Sequence, residues 1–186
     1  MAEELPSFKF ELEKSVGKVI GGSYGKEATV TQLPISEGIA GVSMRLEPGT
    51  MRELHWHPTA DEWQYVIEGD ISVTMFGSNG RFRTETLAQG DVGYIPQGYG
   101  HSVENVGTKR CRVLIGFNAG VYAAIDLSQW IAGNPTDILA TNFGKPAELF
   151  EQFPRHDVFI APKSKPAGPA TPSLQLETPT RIAFSD

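Results

Sequence analysis

The feature that most constrains the fold is an ordered array of four metal-ligand side chains between residues 49 and 105. The array runs in this order: Gly49, His55, His57, Glu62, Gly69, Gly90, Pro96, Gly98, His101 and Asn105. Its His and Glu side chains are types that bind divalent metals, and its Gly and Pro residues turn the chain between short segments. This order indicates a metal site inside a β-barrel.

Strand geometry explains how these ligands could meet. If residues 52–57 form a strand, His55 and His57 point to the same face, about 7 Å apart along the strand. A turn at residues 58–61 then lets Glu62 open the next strand. His101 follows a second turn and needs only strand pairing to complete a set of three nitrogens and one oxygen.

The alternative for each histidine alone is an ordinary surface or hydrogen-bonded residue. Three of the four histidines, however, lie at fixed offsets from turn-forming residues. The sequence therefore predicts His55, His57, Glu62 and His101 as metal ligands. His156 lies outside the array, and we predict that it is on the surface.

Two stretches of the chain carry a family resemblance. They are Gly49-x5-His55-x-His57-x4-Glu62-x6-Gly69 and Gly90-x5-Pro96-x-Gly98-x2-His101-x3-Asn105. Both match the motifs of the cupin superfamily in full. The segments MRELHWH at 51–57, EWQY at 62–65, GDVGYIP at 90–96 and LSQW at 127–130 further resemble the oxalate decarboxylases. Those enzymes contain two cupin domains, whereas this chain has room for one.

The strand pattern agrees with an all-β fold, and the resemblance implies a double-stranded β-helix, or jelly-roll barrel. Turn residues separate short strand-like segments. The segments outside the array are 28–31, 41–46, 71–76, 82–87 and 113–117.

Four regions are predicted along the chain. They are an N-terminal extension at 1–20, the barrel at 21–125, a helical segment at 126–160 and a Pro-rich extended tail at 161–186. The helical segment should contain three short helices, at 127–132, 136–140 and 147–153, that pack on the barrel or on a partner subunit. Pro135 and Pro146 suit helix starts, and Gly133 and Gly144 suit helix ends.

Length and composition limit the classes of protein to which this chain can belong. The chain has 186 residues, 40% of them hydrophobic, which is enough for one self-supporting domain. A net charge of −6 without long charged runs argues against nucleic acid or a membrane surface as partner. The start of the chain has no signal-peptide pattern, so we expect a cytoplasmic protein. The single cysteine, Cys111, is expected to be buried.

Three imidazoles and one carboxylate around an octahedral ion leave two adjacent positions for water, substrate or O2. This set suits Mn(II) or Fe(II), with Zn, Ni and Cu possible. The resemblance to the oxalate decarboxylases implies Mn(II).

Arg52 is the predicted substrate-binding and catalytic residue. Its spacing of three from His55 places it on the opposite face of a regular strand, so a bulge is needed to aim it inward. In the decarboxylases the matching Arg serves the substrate carboxylate, which the resemblance carries over to Arg52. The alternative is a surface Arg paired with a carboxylate such as Glu53.

The proton donor of the decarboxylases has no match here. The resemblance places it on a lid loop, which in this chain reads NAGVYAAID at 118–126 and contains no Glu. A second Glu of those enzymes aligns with Ile115. Asp126 is the only acid in the loop and is a catalytic candidate, although the cap of the following helix is the favoured role.

Two classes of function therefore remain open. One is a metal-dependent enzyme on oxalate or a similar small carboxylate, either a decarboxylase or an oxidase that passes electrons to O2. The other is a binding cupin that holds metal and carboxylate without turnover. We also expect a homo-oligomer, because self-association could supply the neighbour that a second cupin domain provides in the relatives.

Overall fold

The computed structural model describes residues 4–162, which form two antiparallel β-sheets that face each other. The strands are β1 Lys18–Ile20, β2 Ser23–Ala28, β3 Ala40–Leu46, β4 Thr50–Trp56, β5 Glu62–Glu68, β6 Ile71–Phe76, β7 Phe82–Leu87, β8 Val92–Ile95, β9 Gly100–Asn105, β10 Cys111–Phe117, β11 Ile125–Asp126 and β12 Ile160–Pro162. The first sheet has the order β1-β2-β3-β10-β5-β8. The second has the order β11-β4-β9-β6-β7, with β12 also paired to β4.

The alternation of apolar residues explains why the sheets stack. In β10, Cys111, Val113, Ile115 and Phe117 are buried, while Leu114 is exposed. Burial of one face of each sheet gives a single core between them, and apolar burial of this kind contributes about 25 cal/mol per Å². The predicted all-β jelly-roll barrel is confirmed.

One strand prediction is wrong. Residues 28–31 do not form a strand, because β2 ends at Ala28 and a turn follows. The Gln32 side chain accepts hydrogen bonds from both the amide and the hydroxyl of Thr29, and the Thr29 carbonyl accepts from Leu33 N. These local bonds compete with strand pairing and close the turn.

Three short helices follow the barrel, as predicted. They are α1 Leu127–Ala132, α2 Thr136–Phe143 and α3 Ala147–Glu151. Pro135 and Pro146 immediately precede α2 and α3, and Gly144 ends α2 in the left-handed conformation. Helix α2 runs three residues past its predicted end, and α3 is two residues shorter than predicted. None of the helices within residues 4–162 is long and apolar enough to cross a membrane.

The sheets extend slightly beyond the predicted barrel region. Strand β1 lies within the predicted N-terminal extension, and β12 crosses the predicted start of the tail at residue 161. The rest of that tail, from residue 163, lies outside the described residues. Cys111 is fully buried and His156 is exposed, in agreement with the sequence.

Candidate metal centre

A β-bulge in β4 shapes the site. Arg52 pairs with Val103 and His55 pairs with His101, so three steps along β4 match two steps along β9. The extra residue turns both Arg52 and His55 into the barrel, while Leu54 is exposed. The bulge that the sequence required for Arg52 is therefore present.

The structure brings together all four predicted ligands. His55 and His57 come from β4 and the turn after it, Glu62 from β5 and His101 from β9. One ligand atom from each lies within 4.8 Å of the others, and all four side chains are buried. Metal bonds of about 2.0–2.2 Å would place ligands at most about 4.4 Å apart across an ion, so the group is near the size of a coordination sphere.

Hydrogen bonds orient each imidazole. The Nδ1 atoms of His55, His57 and His101 lie 2.7, 2.8 and 3.1 Å from backbone carbonyl oxygens. A carbonyl oxygen can only accept, so Nδ1 carries the proton and the lone pair is on Nε2. The three Nε2 atoms are thus prepared to bind an ion.

Glu62 is held by a residue that sequence reasoning missed. The buried amide of Gln64 donates to Glu62 Oε1 at 2.7 Å, which leaves Oε2 facing the histidines. Oε2 lies 3.1 Å from His101 Nε2 and 2.9 Å from His57 Nε2. The second contact has no hydrogen-bond geometry, so His57 Nε2 is a buried nitrogen without a protein hydrogen-bond partner. An ion at the centre would satisfy it.

Burial and charge set the ionisation of the centre. Burial alone would raise the pKa of Glu62, but the two histidines in contact with its carboxylate, His101 and then His57, outweigh burial and hold that pKa well below its ordinary value. For His55, burial lowers the pKa well below that of free imidazole, and the nearby Arg52 charge lowers it further. A carboxylate and a neutral imidazole are the forms that bind metal.

A cavity of about 520 Å³ opens onto this centre. His55, His57 and Glu62 line it on one side, with Arg52 and Asp126 beside them. Its other walls include residues of β1, β2 and the loop after β10. The volume falls in the range of about 300–1,000 Å³ that is typical of small-molecule sites.

Arg52 is buried rather than on the surface, and its partner is Asp126 rather than Glu53. Arg52 Nη2 donates to Asp126 Oδ1 at 2.5 Å, and both side chains are about 5% exposed. The favoured role of Asp126 as a helix cap is wrong, since its side chain makes no cap hydrogen bond although it precedes α1. The bulge explains the difference, because it aims Arg52 at the strand that carries Asp126.

Glu53 takes the capping role. Its carboxylate accepts hydrogen bonds from Ser128 N and Ser128 Oγ in the first turn of α1, at 3.0 and 2.9 Å. It also accepts from Phe159 N at 2.6 Å. Glu53 thus ties α1 and the segment before β12 to the strand that carries the candidate ligands.

Phe159 closes one side of the cavity in a strained backbone conformation, with φ of 57°. Its ring contacts two cations, with its centroid 4.5 Å from Lys18 Nζ and 4.4 Å from Arg52 Cζ. Lys18 also forms an ion pair with Asp157. A non-glycine residue with positive φ costs about 1–3 kcal/mol and is found mainly at functional sites. Pairing of β12 with β4 brings Phe159 here, and the sequence carries no local signal for it.

The loop after β10 matches the predicted lid and lacks a glutamate. Ile115, which aligns with the second Glu of the relatives, lines the cavity as an apolar residue. Two further carboxylates line the cavity that the sequence did not predict. Asp157 pairs with Lys18, and Glu27 from β2 accepts a hydrogen bond from the Tyr122 hydroxyl at 2.9 Å. Only the long-range packing of β2 against the lid loop makes Glu27 a site residue.

Comparisons with known proteins find similar sequences and folds. A family model described as Cupin matches residues 13–148. Oxalate decarboxylase OxdC of Bacillus subtilis (strain 168) is 36% identical over 157 residues, which cover 83% of this chain and 40% of the relative. Germin-like protein 3-8 of Oryza sativa subsp. japonica is 26% identical over 118 residues, which cover 61% of this chain and 52% of the relative.

Solved structures give the same result. A structure of Bacillus subtilis oxalate decarboxylase, from work on its Mn(II) centres, matches with a TM-score of 0.79 and 34% identity over 83% of this chain and 41% of that chain. A structure of the Bacillus subtilis enzyme at pH 4.6 matches with a TM-score of 0.82 and 33% identity over 90% of this chain and 44% of that chain. This chain therefore spans less than half the length of the oxalate decarboxylases it matches.

Proposed function

This chain belongs to the cupin family, and we propose that it is a metal-dependent enzyme that acts on oxalate or a similar small carboxylate. The observation that carries the proposal is that His55, His57 and Glu62, three members of the four-residue cluster completed by His101, line one cavity together with Arg52. The cluster would hold a metal that binds one end of the acid. Arg52 would bind the other end.

Mn(II) is the metal we propose, and Fe(II), Zn, Ni and Cu are the alternatives. Three nitrogen donors and one carboxylate suit Mn(II), and the similar Bacillus subtilis oxalate decarboxylase has Mn(II) centres. A bound ion would act as a Lewis acid on a carboxylate oxygen and would leave positions open for substrate or O2.

Arg52 supports the choice of a carboxylate as substrate. Arg52 already donates two hydrogen bonds, to Asp126 Oδ1 and to the Phe159 carbonyl oxygen at 3.2 Å. A guanidinium has five N–H groups, so donors remain for a further carboxylate. In a buried site such a charge-assisted fork is both strong and selective for a planar anion.

Oxidation of oxalate is the second candidate reaction. The lid loop supplies no glutamate, and its one acid, Asp126, is occupied by the ion pair with Arg52. An oxidase needs no acid to protonate carbon, because O2 takes the electrons. A third possibility, a metal- and carboxylate-binding protein without turnover, would share the same ligands.

One experiment separates these reactions. The protein is loaded with Mn(II), incubated with oxalate and O2 at acidic and neutral pH, and assayed separately for formate and for hydrogen peroxide. Formate identifies a decarboxylase and peroxide an oxidase. If a protein with stoichiometric manganese forms neither formate nor peroxide, it is not an oxalate enzyme. A different acid as substrate or a binding role then remains.

Arg52→Lys tests the carboxylate site within the same experiment. Lys keeps the charge but loses the planar fork, so we expect weaker oxalate binding with unchanged manganese content. The matched control is Arg155→Lys, because Arg155 is exposed and outside the cavity. Unchanged oxalate affinity in Arg52→Lys would show that the clamp is wrongly assigned.

We further propose that the chain self-associates through the outer face of its first sheet. Trp63 and Tyr65 of β5 are 45% and 38% exposed, and their rings stack. Their strand neighbours Tyr94, Val92 and Leu114 are also exposed, so the apolar patch is continuous. Patches of this kind favour protein interfaces. The similar oxalate decarboxylases are about twice as long as this chain, so a second copy of the chain would take the place of their other half.

A further inference from the structure

Four carboxyl groups line the cavity, and they differ in what they contact. Glu62 belongs to the candidate metal centre, Asp126 pairs with Arg52 and Asp157 pairs with Lys18. Glu27 contacts the neutral hydroxyl of Tyr122, and within residues 4–162 no ion pair holds it. Adding a proton to Asp126 or Asp157 would break an ion pair, whereas adding one to Glu27 would not.

We propose that Glu27 and Tyr122 form the proton-delivery pair for decarboxylation, with Glu27 as the proton source and the Tyr122 hydroxyl as the relay. This rests on the proposed function, since only a decarboxylase must protonate carbon. The pair replaces both acids that the sequence lacks, in the lid and at Ile115. It uses a carboxylate from β2 instead.

Tyr122 is held beside the candidate metal centre. Its ring stacks on Phe117 with centroids 3.9 Å apart and planes 10° apart, and it meets the His57 ring edge-on at 5.5 Å. The next residue is fixed as well, because the Ala123 carbonyl oxygen lies 2.8 Å from His57 Nδ1 and Ala123 N donates to Thr59 Oγ1 at 2.9 Å. Tyr122 lines the same cavity as His57 and Glu62, so a substrate bound at the metal would share that cavity with the Tyr122 side chain.

The lid loop is also tied to the β2 side of the cavity. Val30 N donates to the Gly120 carbonyl oxygen at 2.9 Å, just beyond the end of β2. A Cβ on Gly120 would lie 2.3 Å from the Glu37 carbonyl oxygen, so only glycine allows this approach. The contact sets the register between the lid and β2, and with it the distance between Tyr122 and Glu27.

After each turnover Glu27 must regain its proton from water, which requires that Glu27 be exposed. Glu27 is exposed, whereas Tyr122 is only partly so. Burial raises the pKa of Tyr122, and the charge of Glu27 and the hydrogen bond to it raise it further, so the relay stays a hydroxyl at all working pH values. Protons can therefore enter from water at Glu27 without opening the cavity.

The step balances as follows. The C–C bond of oxalate breaks, one carbon leaves as CO2, and the electron pair stays on the other carbon. That carbon takes the proton of the Tyr122 hydroxyl while the Tyr122 oxygen takes the proton of the Glu27 carboxylic acid, giving formate. Water then protonates the Glu27 carboxylate, so one oxalate dianion and one proton yield CO2 and formate.

The test uses the full chain loaded with manganese and compares Glu27→Gln and Tyr122→Phe. Gln keeps a hydrogen-bond acceptor for Tyr122 but cannot supply the proton, so we expect kcat for formate to fall about 10²- to 10⁴-fold with little change in KM. Tyr122→Phe should lower kcat for formate similarly. The double variant should be no worse than either single variant, because the two residues act as one unit.

The chain offers a matched control. Tyr24 and Glu13 form a second Tyr–Glu hydrogen bond at 3.0 Å, and neither lines the cavity. Glu13→Gln and Tyr24→Phe should leave kcat unchanged. If Glu27→Gln keeps the wild-type formate rate, the inference is wrong and the proposed function stands. If wild-type protein binds manganese and oxalate but forms no formate, the decarboxylase proposal fails, and the role of the pair fails with it.

A second readout does not depend on turnover. Oxalate binding to the zinc-loaded protein is measured by calorimetry in two buffers of different ionisation enthalpy, which gives the protons taken up per oxalate. An anion entering the cavity favours a protonated neighbouring carboxyl, so wild type should take up more protons than Glu27→Gln. Lys18, Asp126, Asp157 and the candidate ligands are present in both proteins, so the difference in uptake reports the loss of the Glu27 carboxyl. Equal uptake would overturn the role of Glu27, even if formate production differs.

Discussion

At the scale of single residues, the site depends on buried polar groups with defined partners. The spacing of His55, His57, Glu62 and His101 predicted the cluster, because alternation along a strand and one further strand pairing suffice to bring these residues together. The partner of Arg52 could not be predicted, since it depends on which strand neighbour the bulge presents. Glu27 gave no signal, because its role depends on packing between distant segments.

His57→Ala is expected to remove the metal. The substitution deletes one of three nitrogen donors and empties the position between Glu62 and the lid, so affinity should fall by far more than the loss of a supporting hydrogen bond would cause. Elemental analysis after dialysis measures metal per chain. The exposed His156→Ala should retain wild-type metal, and stoichiometric metal in His57→Ala would refute the ligand assignment.

The metal-free protein should lose stability on acidification. The folded-state pKa of His55 is depressed, so its contribution is complete above the unfolded value of about 6.5 and is lost as pH falls toward the folded value. Melting temperatures measured from about pH 7.5 to about pH 5 should fall, and saturating Mn(II) should move the fall to lower pH. A flat metal-free profile over that range would contradict the buried, neutral state of His55.

Asp126→Ala should destabilise the protein by about 3–5 kcal/mol, because it leaves the buried Arg52 charge unpaired. Oxalate should stabilise this variant more than it stabilises wild type, since its carboxylate would replace the missing counter-charge. Urea unfolding with and without oxalate measures both effects. Asp137→Ala, an exposed change in α2, is the control, and equal stabilisation of Asp126→Ala and wild type would argue against carboxylate binding at Arg52.

At the scale of elements, β4 determines where the site lies. Its bulge turns Arg52 and His55 to the same side, and Glu53 beside them joins α1 and the β12 segment to the strand. The sequence could predict that a bulge was needed, since Arg52 and His55 have odd spacing. It could not predict β12, whose three residues form a strand only because β4 has a free edge there. The turn at Thr29 was missed because local side-chain bonds overrode an apolar, β-branched run.

Glu53→Ala should weaken the attachment of α1 and β12. The variant removes hydrogen bonds to Ser128 N, Ser128 Oγ and Phe159 N, and one hydrogen bond to a charged group contributes about 1.5–3 kcal/mol, so we expect a loss of at least about 2 kcal/mol. The midpoint of urea unfolding measures this loss of stability. Glu148→Ala, on the exposed face of α3, should change the midpoint much less. A wild-type midpoint in Glu53→Ala would show that these bonds do not anchor the segment.

At the scale of the whole molecule, two sheets bury one core and leave one open cavity beside the candidate metal centre. The fold, the ligand set and the position of the lid loop follow from the sequence, while the placement of Phe159 and the contact between Tyr122 and Glu27 do not. They depend on contacts between segments about a hundred residues apart, which a local pattern cannot report. The cytoplasmic location stays a prediction.

Self-association should depend on the outer face of the first sheet. Sedimentation of the wild-type chain should give a mass above the 20.3 kDa of one chain. Trp63→Glu puts a charge in the middle of the apolar patch and should shift the protein toward monomer, while Trp130→Glu, an exposed change in α1, should not. A monomeric wild-type protein would contradict the proposed interface.

The most direct test of the metal-dependent carboxylate site is a crystal structure of the protein grown with Mn(II) and oxalate, with anomalous data at the manganese edge. We predict a single anomalous peak per chain, bound by Nε2 of His55, His57 and His101 and by Glu62 Oε2, with an oxalate carboxylate on Arg52. A peak elsewhere, for example among Glu53, Asp126 and Asp157, or no peak at all, would contradict the proposed site.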